Sequence, residues 1–403
     1  MKRRIHAVLV LIFSMVLPAP AFAGVVNDWN EVIADAVTIG RPSPIGLLDV
    51  ALAHAAVHDA VQAIEGRFEP YHYADISKRG LGSPAAAVAA AAHRTLVLLY
   101  PGQQASLDVT YSAYLVAHGL AGDPGLEVGE EAAAALHSAH YRPVIAMAPF
   151  YGRAETGQWR STVPMAIPWA AFTKPFTLNR PSQFRPPPPP PLTSGAYLRD
   201  YEEVKRIGSS VAHPNPNTDV ARFWTVNFVT QWNEALRGIA ESRVPDVGDS
   251  ARLFALANFA AADALIAVWD SKVHYNFWRP STAILEGESD GNSKTTGDTV
   301  WSGLIADPPY SDYVSGANGL GGAYTGVIRL FFGTDELSFS IRTTHPLVAN
   351  PVRQYSRLSE AAQEVVDARV HLGIHFRFAD EEGRRLGERV AHWTFMKFLR
   401  PVG

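Results

Sequence analysis

Apolar residues recur three and four positions apart over long stretches of the chain, and alternation with a period of two is weak throughout. That spacing puts one side of a 3.6-residue turn against a core, so it predicts helices. Residues 45–65 form one such stretch, with alanine-rich faces. A second opens at Ser83-Pro84, where Ser can cap and Pro suits the first turn, and runs to about Tyr100. Pro101-Gly102 stops it. Two more follow at 103–118 and 126–139. Helical periodicity returns at 197–207, 219–242, 250–272, 315–332, 359–373 and 380–398, with Asp380 as the expected cap of the last. The class is all-α, built from helical bundles.

The stretch between these two sets, residues 141–195, is rich in proline, aromatics and turn residues. Its run Pro186 to Pro191 should be polyproline II, a stiff spacer without hydrogen bonds of its own. The organisation expected is therefore an N-terminal helical region at 24–140, a connecting segment at 141–195 and a C-terminal bundle at 196–403. Residues 1–23 read as a signal peptide. Lys2, Arg3 and Arg4 precede a short apolar run from Ala7 to Leu17, and Ala21-Phe22-Ala23 fits a cleavage site after Ala23. The expectation is a secreted or periplasmic protein whose mature chain has no clean transmembrane helix.

Composition narrows the chemistry. The 403 residues include 35 Lys and Arg against 39 Asp and Glu, a net charge of −4. That balance argues against nucleic acid as the main partner. It does not exclude a local anion pocket. There is no cysteine, which removes disulfides, zinc ribbons, iron–sulfur clusters and thiol nucleophiles together.

Three segments can carry chemistry. In Lys272-Val273-His274-Tyr275-Asn276-Phe277-Trp278-Arg279-Pro280, two cations stand among aromatics, and a charge in a dry setting needs a partner. That partner is either a bound oxyanion, which Arg meets with a planar fork of donors, or the C-terminal end of a helix. In Tyr313-Val314-Ser315-Gly316-Ala317-Asn318-Gly319, a glycine-rich turn opens a helix and exposes N–H groups suited to an anion, although Ser-Gly turns are common helix starts. In Ala368-Arg369-Val370-His371-Leu372-Gly373-Ile374-His375, Arg369 and His375 lie on different helical stripes. They converge only if the helix loosens near Gly373.

Together these segments resemble the vanadium-dependent haloperoxidase and type 2 phosphatidic acid phosphatase superfamily. Its marks are Lys-x6-Arg-Pro, then Pro-Ser-Gly-His, then Ser-Arg-x5-His. The first is intact as Lys272…Arg279-Pro280; the second is degenerate at Val314-Ser315-Gly316-Ala317; the third keeps Arg369 and His375 but has Ala368 for Ser. The stretch from Trp29-Asn30 through Tyr71, the segments Phe172 to Phe176 and Tyr201 to Lys205, and Gly373 to Phe378 also look like bacterial haloperoxidase-type members, so the resemblance covers nearly all the mature chain.

The resemblance implies a tetrahedral vanadate, or phosphate in the same site, held in the C-terminal bundle. Lys272, Arg279 and Arg369 would bind its oxygens, with Ser315 and the Gly316 N–H as neutral donors. His375 would coordinate vanadium, or attack phosphorus. The implied activity is oxidation of halide by hydrogen peroxide, with an organic acceptor downstream. The alternatives are an acid phosphatase that cleaves phosphate esters through a phosphohistidine, and a silent or repurposed oxyanion-binding homologue. A homodimer is implied by the resemblance alone. One departure matters. The family's acid–base histidine is Ala317 here, and general acid–base catalysis is worth roughly 10²–10⁴-fold. His274, His371 and Asn318 are the nearest substitutes in sequence.

Two further clusters have plainer readings. His54 and His58, one helical turn apart and followed by Asp59, have metal-ligand spacing, yet they sit in an alanine-rich packing helix and read as core or interface residues. Asp200, Glu202 and Glu203 read as a solvated helix face.

Overall fold

A computed structural model describes residues 24–41 and 43–403, so the expected signal peptide lies outside the described residues. The first half contains α1 (Val25–Gly40), α2 (Leu47–Glu65), α3 (Pro84–Leu99), α4 (Gln104–Ala117) and α5 (Gly125–His140). Ser83 caps α3 through the Ala86 N–H, as its sequence signature demands. The second half contains α6 (Gly195–Ile207), α7 (Thr218–Phe223), α8 (Phe228–Arg243), the long α9 (Val247–Tyr275), α10 (Pro280–Leu285) and α11 (Gly316–Phe332). A hairpin of β1 (Glu336–Arg342) and β2 (Val352–Arg357) follows, then α12 (Leu358–His371) and α13 (Arg377–Lys397). The all-α expectation holds, apart from this one antiparallel hairpin. Phe339 and Tyr355 pair across it, ring on ring.

The centre is α9, buried along most of its length and packed against α2, α11 and α13. One apolar core includes Leu52 and Val57 of α2 together with Phe254 and Leu265 of α9. Both helices are long and apolar enough to cross a membrane, contrary to the expectation that no mature segment would be. The apolar 18-residue window of each is wholly buried inside the protein, and alanine-rich core helices pass the same length and hydropathy test. On α2, His58 bonds the Glu69 carbonyl, His54 bonds Asn30, and Asp59 accepts from the N–H groups of Tyr71, His72 and Tyr73. His58 and Asp59 fasten the following loop to the core, and His54 ties α2 to α1.

Three expectations change. The helix expected over 219–242 is broken: α7 ends at Phe223, and Asn227 starts α8 by accepting from the Val229 N–H. The connecting segment is no free spacer. Its Trp159 N–H donates to the Asn276 carbonyl, and the Trp278 N–H donates back to Gly157. Asp263 of α9 takes the N–H groups of Phe176, Thr177 and Leu178, while Tyr275 and Tyr313 donate to the carbonyls of Pro186 and Pro187. Finally, Asp200 is buried and accepts from the Phe378 N–H, and Glu203 grips Arg377 with two bonds. Of that acidic trio only Glu202 keeps the exposed role. The other two anchor the start of α13.

Candidate functional site

The end of α12 and the start of α13 set the histidine. The helix stops at His371, and Gly373 turns the chain at φ +78°. A Cβ there would lie 2.4 Å from the Gly208 carbonyl oxygen, so only glycine permits this turn. The loosened end brings His375 beside Arg279 and onto one cavity wall with Arg369, although Arg369 and His375 lie on different helical stripes. His375 is buried; its Nδ1 lies 2.5 Å from Asp312 Oδ1 and its Nε2 lies 3.4 Å from Arg279 Nη1. Burial, with Arg279, Lys272 and Arg369 close by, holds its pKa well below that of an ordinary histidine. The bond to the Asp312 carboxylate calls for the Nδ1–H tautomer, which turns the Nε2 lone pair toward Arg279 Nη1 and the cavity. Burial pushes the Asp312 carboxyl up to about 7, against the pull of Arg279 and Lys272.

The cations sit in two shells. Lys272, at the last turn of α9, donates to the carbonyls of Ser311 and Asp312. Arg279 donates from Nε to Tyr310 and from Nη1 to Ile374. Both lie against the Tyr310 ring, at 5.0 and 4.9 Å from its centre. Arg369 donates from Nη1 to the Trp224 carbonyl, in the break that splits α7 from α8. Burial lowers the pKa of both Lys272 and Arg369. Arg279 Nη2 and Arg369 Nε are buried without hydrogen-bond partners among the described residues. Such donors are costly to bury unpaired, and a tetrahedral oxyanion supplies the acceptors they lack.

The start of α11 completes the arrangement. Gly316 and Ala317 open the helix beside the same cavity as Tyr310, Arg369 and His375, where first-turn N–H groups have no helical partner. The glycines of α11 serve helix packing more than anion binding. A Cβ on Gly387 of α13 would lie 2.1 Å from the Gly319 oxygen, so the two helices touch backbone to backbone. Ser315 is fully buried, and its Oγ accepts from Asn318, which also donates to Asp380. Asp380 is not the cap of the last helix. That helix begins at Arg377, and burial drives the Asp380 carboxyl well above the usual range while the Ser315 hydroxyl pulls it back.

The structure thus places Gly316, Arg369 and His375 on the cavity wall and Lys272, Arg279 and Ser315 immediately behind it. The Ala317 methyl lies on the wall with no proton to give. The proposed substitutes do not replace it. His274 is exposed beside Tyr275, His371 packs near His213, and Asn318 is committed to Ser315 and Asp380. Sequence reasoning missed Asp312 and Tyr310. The signal was a carboxylate standing in the aromatic run Tyr310-Ser311-Asp312-Tyr313, three residues before Ser315.

Comparison with known proteins agrees with this architecture. Residues 252–403 match the family model for the VCPO second helical-bundle domain. A vanadium chloroperoxidase of Curvularia inaequalis is 29% identical over an alignment spanning 35% of this chain and 29% of the relative, so less than a third of that relative's length is matched. The first bacterial vanadium-dependent iodoperoxidase structure superposes with a TM-score of 0.79 at 21% identity, over 94% of this chain and 98% of that one. An apo-type bacterial vanadium-dependent chloroperoxidase gives 0.69 at 16% identity, over 89% and 93%. At such identities the superpositions establish the fold.

Proposed function

We propose that this chain, which has the vanadium haloperoxidase fold and carries that family's second helical bundle in its sequence, is a haloperoxidase-type peroxidase that uses bound vanadate to oxidise halide with hydrogen peroxide. The observation that carries the reading is the convergence of a neutral, carboxylate-oriented His375 with the unpartnered donors Arg279 Nη2 and Arg369 Nε. Vanadate, when bound, would supply the Lewis-acid chemistry that activates peroxide oxygen. His375 Nε2 would hold it, and Asp312 would keep the Nε2 lone pair forward by accepting the Nδ1–H hydrogen bond. Lys272, Arg279 and Arg369 would balance the anion's charge, and the first N–H groups of α11 would add dipolar donors. Ala317 leaves the leaving oxygen without a proton donor, so turnover is expected to be slow. Export is part of the proposal and rests on the pattern of residues 1–23; N-terminal sequencing of the mature protein tests it.

A second reading uses the same residues. An acid phosphatase would attack phosphorus with His375 Nε2, and the Asp312–His375 hydrogen bond favours it, since it orients a nucleophile as a third group does in catalytic triads. The deciding assay takes purified protein with and without orthovanadate. It measures halide-dependent peroxide consumption and phosphate-ester hydrolysis side by side. Vanadate-dependent peroxide consumption supports the peroxidase; hydrolysis that vanadate inhibits supports the phosphatase. If neither anion raises the melting temperature at several millimolar, the oxyanion site itself is refuted.

A further inference from the structure

We propose that Tyr310 stands in as the proton donor of this site, its phenol taking over, less effectively, the acid–base function that Ala317 vacates at the start of α11. The inference rests on the oxyanion reading above. Tyr310 lies in the loop before α11 and lines the same cavity of about 360 Å³ as Arg369, His375 and Ala317.

Its ring stands among the groups that would hold the anion. Lys272 Nζ and the Arg279 guanidinium lie 5.0 and 4.9 Å from the ring centre, and Trp269 packs against the ring at 5.4 Å. Burial lowers the pKa of Arg369, and Tyr310 heads the groups that pull it back up, ahead of Asp380. The backbone fixes the loop in place: the Tyr310 carbonyl accepts from Arg279 Nε, and the Pro309 carbonyl accepts from the Ala166 N–H. The Tyr310 hydroxyl, by contrast, bonds to no described residue. Tyr275 and Tyr313 spend theirs on the carbonyls of Pro186 and Pro187.

The other polar groups at the cavity are poorer acids or are already committed. Thr225 donates to the Arg222 carbonyl, Asn227 caps α8 and donates to Thr38, and Asp312 is engaged with His375. Arginine does not give up its proton in proteins. Ser43 is exposed and carries an alkyl hydroxyl. A phenol is the stronger acid, because its ring delocalises the charge left on oxygen. The Arg279 guanidinium beside the ring would offset that charge. A phenol is still a weaker acid than an imidazolium, so turnover stays slow.

The proton balance closes. The O–H bond at Tyr310 Oη breaks and an O–H bond forms on the departing oxygen, which leaves as water in the peroxidase reading or as an alcohol in the phosphatase reading. The phenolate then takes one proton from the incoming hydrogen peroxide or water. The phenol is restored, and no electron passes to or from the ring.

The test combines turnover with two measurements of binding, all on the intact chain. Tyr310→Phe removes only the hydroxyl. In whichever of the two assays the wild type turns over, its kcat should fall by roughly 10²–10⁴-fold with KM little changed. Tyr310→His offers another proton donor and should recover about tenfold or more of that loss. In the Ala317→His background, where the histidine can donate instead, Tyr310→Phe should cost far less; a merely structural defect would cost the same in both backgrounds. Inorganic phosphate, followed by isothermal titration, should bind Tyr310→Phe within about tenfold of the wild type, the worth of one neutral hydrogen bond. In protein labelled with fluorotyrosine, the fluorine NMR signal that Tyr310→Phe lacks should shift when phosphate is added. Unchanged kcat in Tyr310→Phe overturns this inference and leaves the functional reading standing. So does a Tyr310 signal that stays in place while phosphate binds, or loss of phosphate binding in both Tyr310 variants, which would make the side chain an anchor and not a donor. A wild type that binds no phosphate or turns over in neither assay overturns the underlying reading and this inference with it.

Discussion

His375 and Asp312 share a hydrogen bond of 2.5 Å between two buried side chains, one on the loop before α13 and the other on the loop before α11. The bond fixes which imidazole nitrogen faces the cavity. It also ties the loop that carries His375 to the loop that leads into Ser315 and the start of α11.

Asp312→Asn should weaken vanadate binding by about 10–100-fold, the usual effect of losing the partner that orients a ligating histidine. The amide keeps the shape and can still accept, so the fold should survive. Vanadate-induced thermal shifts across a concentration series measure the change. An unaltered midpoint would show that Asp312 does not orient His375.

Arg279→Ala should abolish the rise in melting temperature that vanadate or phosphate produces. Arg279→Lys should retain part of it, because charge remains while the fork to Tyr310, Ile374 and the anion is lost. Equal shifts in the wild type and Arg279→Ala would remove this side chain from the site.

Ala317→His should raise turnover by about tenfold or more, since it restores a proton donor at the start of α11. His375→Ala should eliminate activity outright. A folded Ala317→His protein that turns over more slowly would mean that the cavity is built around alanine for an organic substrate.

Acid should weaken the fold through the two buried histidines of α2. Burial lowers the pKa of His58 to about 4 and of His54 to about 3. A group depressed in the folded state adds stability above its unfolded pKa, near 6.5, and loses it as pH falls toward the folded value. These two histidines therefore lower the melting temperature as pH falls from about 6.5 to 4, while Asp59 beside them, whose carboxyl burial raises to about 7, works the other way over the same range, so the histidine contribution is read as the difference between the wild type and His58→Gln. His58→Gln, which keeps a donor for the Glu69 carbonyl, should flatten part of that slope. An unchanged slope would place the acid sensitivity elsewhere.

Gly387→Ala should destabilise by roughly 1–3 kcal/mol, because its methyl would meet the Gly319 backbone oxygen and force α11 from α13. Ser315 and Gly316 ride on α11, so anion affinity should fall with stability. Gly333→Ala is no control for this, since that glycine has positive φ; Gly238→Ala is one, since a Cβ there meets nothing within 4 Å. A Gly387→Ala protein as stable as Gly238→Ala would refute the close approach.

Where most helices lie could be read along the chain, because three-and-four periodicity records which side of each segment is buried. So could the local motifs: Lys272 with Arg279, Ser315 with Gly316, and Arg369 with His375 are short-range patterns. Gly373 could be identified as the break that lets the last pair converge, since a missing side chain is visible in one dimension. The remaining features emerge only from packing. Asp312 and His375 are 63 residues apart and Arg369 and the Trp224 carbonyl 145 apart, so nothing local announces either pair. The helix break at 224–227 contains no proline or glycine; it exists because Asn227 caps α8 and Arg369 takes the Trp224 carbonyl. Asp380 has a cap's composition, yet packing of α13 on α11 buries it beside Ser315 and Asn318 instead. Periodicity tells which residues leave water, but which buried groups then meet is settled only when the helices pack.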